Sequence, residues 1–104
     1  MRQQSVHPAK ILVVDDEPRN IRLLEAMLIP QGYEVDTASS GKGALERIRR
    51  RNPDLVIMDV LMPGMNGFEV CEKVRSDTSI SYIPIIFLTA SQVLEEHVIH
   101  GLDI

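Results

Sequence analysis

Leu55-Val56-Ile57-Met58-Asp59 is followed by Val60-Leu61-Met62-Pro63-Gly64-Met65-Asn66-Gly67. Four apolar residues end on a carboxylate, and a loop rich in Met, Pro and Gly comes directly after. A short continuous apolar run reads as a strand buried on both faces, as in a parallel sheet. Asp59 then stands at the carboxyl end of that strand, where ligands bind in open α/β sheets. Pro63 and Gly64 stop the strand. Asn66 can cap a new helix, with Glu69 in the capping-box position.

Working toward the N-terminus, Lys10-Ile11-Leu12-Val13-Val14 is a second buried strand, and it ends on Asp15-Asp16-Glu17. Pro18 suits a first helical turn, where its missing N–H is not needed. Ile21, Leu24 and Leu28 make one apolar helical face, stopped by Pro30 and Gly32. Tyr33 to Ala38 alternates in polarity and reads as an edge strand. Ser39 or Ser40 caps a helix carrying Ala44, Leu45 and Ile48, which Asn52-Pro53 ends. Beyond Asn66 a helix turns Phe68, Cys71 and Val74 inward. Pro84-Ile85-Ile86-Phe87-Leu88 is a fourth strand delivering Thr89-Ala90-Ser91. Ser91 can cap a final helix through Leu94 and Val98, closed by Gly101.

Strict alternation of strand and helix predicts an α/β fold, a doubly wound parallel sheet with right-handed crossovers. An edge position for residues 33–38 gives the order 2-1-3-4. The strand order then reverses between the strands ending at Val14 and Met58, beside the acids.

The 104 residues form one domain with one modest core. A net charge of −4 argues against nucleic acid as a direct partner. No apolar run reaches membrane-spanning length, and the N-terminus lacks an apolar signal region, so a cytoplasmic location is expected. The single Cys71 excludes an internal disulfide and reads as a small core residue. Arg47, Arg49, Arg50 and Arg51 read as a solvated helix end favourable to the dipole, not as a nucleic-acid patch. Met62 and Met65 read as loop packing. His97 and His100 share a helix face and read as a solvent-facing pair.

Asp15, Asp16 and Asp59 converge at the ends of two strands whose spacing is about 4.8 Å. Carboxylates so close raise one another's pKa, and a divalent cation relieves this. Mg2+ takes oxygen ligands, commonly one or two carboxylates with a phosphate. A carboxylate beside it can be a nucleophile toward a phosphoryl group, giving an acyl phosphate. Thr89, at the end of the neighbouring strand, can hydrogen-bond a phosphoryl oxygen.

Taken together, Asp15-Asp16-Glu17, Asp59, Met62-Pro63-Gly64-Met65-Asn66-Gly67 and Thr89-Ala90 resemble the receiver domain of two-component response regulators, from Lys10 onward. The resemblance implies a flavodoxin-like fold and phosphoryl transfer from a histidine kinase onto Asp59. It implies Mg2+ (or Mn2+) held by Asp16, Asp59 and the backbone carbonyl of Leu61, with Asp15 acting through water. Thr89 would contact the phosphoryl group and report its presence. The runs Asp16-Glu17-Pro18-Arg19-Asn20 and Gly67-Phe68-Glu69-Val70-Cys71 are similar to receivers attached to cyclic-dinucleotide enzymes.

The chain departs from that family at Gly101-Leu102-Asp103-Ile104. The fifth strand with its lysine-proline pair and the fifth helix are expected to be missing, which makes residues 1–104 a C-terminally truncated receiver. Lys10, Lys42 and Lys73 lie away from the crevice, and Arg19 is the nearest candidate cation. The truncation leaves a rival reading, a receiver fragment that cannot be phosphorylated. An aspartyl-nucleophile phosphatase is a second rival; enzymes of the haloacid-dehalogenase type place a second aspartate where this chain has Leu61. The truncation also predicts self-association, through an unpaired Ile85–Leu88 edge or an uncovered sheet face.

Overall fold

The computed structural model describes residues 7–88 and 93–95. Strand β1 (Lys10–Val14) leads to helix α1 (Pro18–Leu28), a short 3-10 turn (Ile29–Gln31) and β2 (Glu34–Ala38). Helix α2 (Gly41–Arg51), β3 (Leu55–Asp59), α3 (Gly67–Ser76), β4 (Ile85–Leu88) and β5 (Val93–Glu95) follow. The sheet order is β2-β1-β3-β4-β5, and the first four strands are mutually parallel, as the alternation predicts.

Local chemistry sets the helix ends. Ser40 accepts the Gly43 N–H at 3.0 Å and starts α2. Asn52 ends it in the left-handed region at φ 52°, a conformation asparagine tolerates better than most residues. Asn66 and Glu69 complete a capping box on α3. Glu17 caps α1, with Pro18 in its first turn.

Right-handed crossovers place α1 on one sheet face and α2 with α3 on the other. The second face holds the core. There Leu12, Val14, Val56, Met58, Ile85 and Phe87 pack with Ala44, Leu45, Ile48, Val70, Cys71 and Val74. Burying each large aliphatic or aromatic side chain stabilises the fold by about 1.5–3 kcal/mol. Val70 is fully buried, whereas Phe68, expected inward, stays 38% exposed and meets Phe87 edge-on at 4.9 Å.

The α1 side is less covered. No residue of α1 is buried, and Ile21, Leu24 and Leu28 are only half-buried. Leu55, Ile57, Ile86 and Leu88, on the same side, are also half-buried. That face is thus partly covered: Ile11 and Val13 of β1 are buried there, and the β3 and β4 residues beside them are half-buried.

Two expectations are corrected at the end of the chain. The helix from Ser91 through Leu94 and Val98 does not form at residues 93–95, which are extended as β5; the other residues of that helix, with His97 and His100, lie outside the described residues. Nor is Ile85–Leu88 an unpaired edge, because Ile86, Phe87 and Leu88 pair antiparallel with Glu95, Leu94 and Val93. The physical reason is common to both. An apolar strand with open N–H and C=O groups gains more from a paired neighbour than residues 93–95 gain from one helical turn. Self-association through that edge falls with it.

The arginines of α2 are not simply solvated. Arg47 meets Asp36 at 2.6 Å, Arg51 approaches the same carboxylate at 3.8 Å, and Arg49 meets Asp77 at 3.2 Å. Hydrogen bonds from Ser79, followed by Arg49, hold the Asp77 carboxyl below its ordinary value. No helix among the described residues is long and apolar enough to cross a membrane.

Candidate functional site

The acids stand where the sheet order reverses. β1 and β3 run side by side in parallel, with Val14 registered on Met58. The next residue of each strand run is an aspartate, so Asp15 and Asp59 emerge side by side. The Asp15 N–H still donates to the Ala38 carbonyl at 3.1 Å, which extends the β1–β2 ladder by one rung and fixes its backbone. One carboxylate oxygen from each of Asp15, Asp16 and Asp59 lies within 4.8 Å of the other two.

The three differ in environment. Asp15 is 4% exposed, the one buried charged side chain among the described residues. Its Oδ1 accepts the Glu17 N–H at 2.9 Å and its Oδ2 accepts the Asn20 side-chain amide at 3.1 Å. Asp16 is exposed. Asp59 is half-buried, and its Oδ1 accepts the Leu61 N–H at 3.3 Å. Burial, then the charge of Asp15 and more weakly that of Asp16, push the Asp59 carboxyl up from its ordinary value, against the Leu61 and Val60 N–H groups.

This arrangement fits a hard divalent cation. Three oxygen donors converge at one opening, and none of the ion pairs among the described residues involves them. Arg19, the nearest candidate cation by sequence, lies beside Glu17 at 3.6 Å with its side chain 81% exposed.

The loop after Asp59 is shaped by close approach. Gly67 donates its N–H to the Val60 carbonyl at 2.9 Å, and a Cβ on Gly67 would stand 2.5 Å from the Asp59 carbonyl oxygen. Gly64 takes φ 77°, which glycine adopts without strain. Met62 is buried and Met65 packs on the core, as expected. Leu61 points its side chain outward, 77% exposed, and its backbone N–H donates to Asp59. Thr89 lies outside the described residues. The sequence reading missed Asn20 and the close contact at Gly67. A lone asparagine in a first helical turn carries no signal of its partner, and a glycine shows freedom but not what crowds it.

A doubly wound α/β domain with three acids at its switch point places oxygen donors where such sheets bind their ligands. A family model for the response regulator receiver domain matches residues 11–104, and the chain belongs to that family of regulatory phosphoacceptor domains of two-component systems. Response regulator PleD of Caulobacter vibrioides is 50% identical over 82 residues, which are 79% of this chain and 18% of PleD. The chain thus spans less than a fifth of that relative. Response regulator TrrA of Thermotoga maritima, solved in complex with Mg2+-BeF, matches with a TM-score of 0.73 and 45% identity over 81% of this chain and 71% of that one. The N-terminal domain of a response regulator/sensory box/GGDEF protein of Carboxydothermus hydrogenoformans matches with a TM-score of 0.72 and 34% identity, covering 80% of this chain and 66% of that one.

Proposed function

We propose that Asp59 accepts a phosphoryl group from a histidine kinase, at a site where Asp15, Asp16, Asp59 and the Leu61 backbone carbonyl hold Mg2+. The observation that carries this reading is the meeting of three carboxylates within 4.8 Å at the sheet's switch point. When bound, the cation offsets negative charge on the transferring phosphoryl oxygens. The chain's own part is nucleophilic. The Asp59 carboxylate attacks phosphorus, the P–N bond of the phosphohistidine breaks as the new O–P bond forms, and the imidazole leaves with the electron pair. The Leu61 N–H orients Asp59 through Oδ1. Similarity to the TrrA complex with Mg2+-BeF supports the choice of ion. A cyclic-dinucleotide enzyme as the attached output domain draws support from the runs around Asn20 and Phe68 and from the likeness to the GGDEF protein. The deciding experiment incubates the full chain with acetyl phosphate and MgCl2 and reads intact mass. We expect the gain of one phosphoryl group, lost when a chelator replaces the metal. No gain under either condition would leave the phosphorylation-incompetent receiver as the better reading.

Thr89 follows Leu88, and Leu88 is registered on Asp59. In this reading its hydroxyl contacts the phosphoryl group and not the ion. Thr89→Ala is therefore expected to leave Mg2+ affinity within tenfold, about 1.4 kcal/mol, while shrinking the spectral changes that phosphorylation causes. A larger loss of Mg2+ affinity, read by calorimetry, would put Thr89 among the metal's ligands.

A further inference from the structure

The acid crevice has a support that none of its three carboxylates explains. Asn20 lies in the first turn of α1, five residues after Asp15, and its backbone N–H is anchored on the Glu17 carbonyl at 3.0 Å. From there its side-chain amide reaches back to Asp15 Oδ2 at 3.1 Å. The amide end facing the carboxylate must be the NH2, because an ionised carboxylate only accepts. With the Glu17 N–H on Oδ1, both oxygens of Asp15 carry one donor each. A carboxylate oxygen has two acceptor sites, so each keeps one for the crevice.

We propose that Asn20 is a positioning residue of the cation site, holding the Asp15 carboxylate in orientation without neutralising it. The proposal rests on the reading of Asp15, Asp16 and Asp59 as cation ligands. The chemistry of the amide is what suits it. A lysine or arginine at this place would fix Asp15 equally well but would cancel the charge that attracts a cation. A neutral donor locks the geometry and leaves the full charge. Asn20 is itself exposed, so removing its amide admits water in place of a fixed donor and leaves the Asp15 Oδ2 free to turn. Groups that orient a ligand from behind commonly change metal affinity by about 10- to 100-fold.

The test is a double-mutant cycle on the full chain, read by MgCl2 titration calorimetry and by melting in chelator. Asn20→Ala is expected to weaken Mg2+ binding at least about tenfold. Asp15→Ala is expected to weaken it too, and in the Asp15→Ala background the Asn20 substitution should have no further effect, since its partner is gone. An effect of Asn20→Ala that persists undiminished without Asp15 would show a general structural role and overturn the proposal. So would unchanged affinity in Asn20→Ala alongside weakened affinity in Asp15→Ala. Unchanged affinity in Asp15→Ala would instead overturn the cation site itself. Asn20→Lys gives an independent arm. It keeps a donor but adds charge, so it should bind Mg2+ more weakly than the parent even where it melts as high; parental affinity would refute the role given to neutrality.

Discussion

Gly67→Ala is expected to melt roughly 10 °C or more below the parent chain, a loss on the order of 2 kcal/mol. The usual expectation has the opposite sign, because alanine in a helix interior is better than glycine by about 1 kcal/mol. Gly67 is the first residue of α3, however, and two of the three atoms nearest an added Cβ are backbone. A Cβ there would meet the Asp59 carbonyl oxygen at 2.5 Å, the Val60 Cα at 3.2 Å and the Met58 Cγ at 3.2 Å. Met58 is itself fully buried, so none of the three moves away cheaply. Relief must come from moving the strand end that carries Asp59, or from lifting α3 off the core where Val70 and Val74 are buried. Gly41 offers a comparison. Its added Cβ would stand 2.9 Å from Met65 Cβ, the Met65 carbonyl oxygen and Cγ2 of the fully buried Val70, so Gly41→Ala should be destabilising as well. Paired thermal melts followed by circular dichroism measure both. A Gly67→Ala protein as stable as the parent would show that the loop yields without strain. Weakened Mg2+ binding in the variant would show that the displaced part is the end of β3.

Asp59→Asn is expected to take up no phosphate at all and yet to melt higher than the parent in chelator. The first result follows from removing the nucleophile; a phosphoryl adduct surviving in Asp59→Asn, read by intact mass, would refute the assignment. The second follows from the crevice electrostatics. Burial and the neighbouring Asp15 raise the Asp59 pKa in the folded chain. A carboxyl raised on folding contributes stability that is fully present below the unfolded value near 3.8 and is lost as pH rises through the folded value. At neutral pH, without metal, the charged Asp59 is therefore a net cost that asparagine removes. Adding Mg2+ should reverse the order, because the parent then binds a ligand that the variant binds poorly. Melting curves of both chains, with chelator and with MgCl2, check the crossing. A variant less stable than the parent in chelator would mean that Asp59 is better solvated than its surroundings indicate.

Much of this site was legible before any coordinates. Asp15, Asp16 and Asp59 follow short apolar runs, and strand periodicity with the crossover rule brings such residues to one edge. The cap at Asn66 with Glu69 was equally plain, because capping depends on contacts three residues apart. What escaped had partners that local pattern does not encode. Residues 91–98 carry a helical pattern and a serine cap, yet Val93–Glu95 pairs with β4, a tertiary demand stronger than the local one. Ile21, Leu24 and Leu28 marked the inward face of α1 correctly but could not show that it would be only half covered. Asn20 looked like any polar residue in a first helical turn until its partner five residues back was seen.

The two walls of the acid crevice should differ in how readily they open. β1 is paired along its length with β2 and, from Ile11 onward, with β3, and Ile11 to Val14 are buried. Amides on such a strand exchange with solvent only when the whole domain unfolds. The opposite wall, residues 60–66, is a loop with exposed Leu61 and a left-handed Gly64, and its amides should open at far smaller free energy. Asp15, tied at both carboxylate oxygens and at its own N–H, then acts as a fixed reference, and a charge change at Asp59 reorganises the loop side more readily than β1. Hydrogen exchange with and without MgCl2 should show new protection over residues 60–66 and none over 10–14; protection gained equally on β1 would contradict this division.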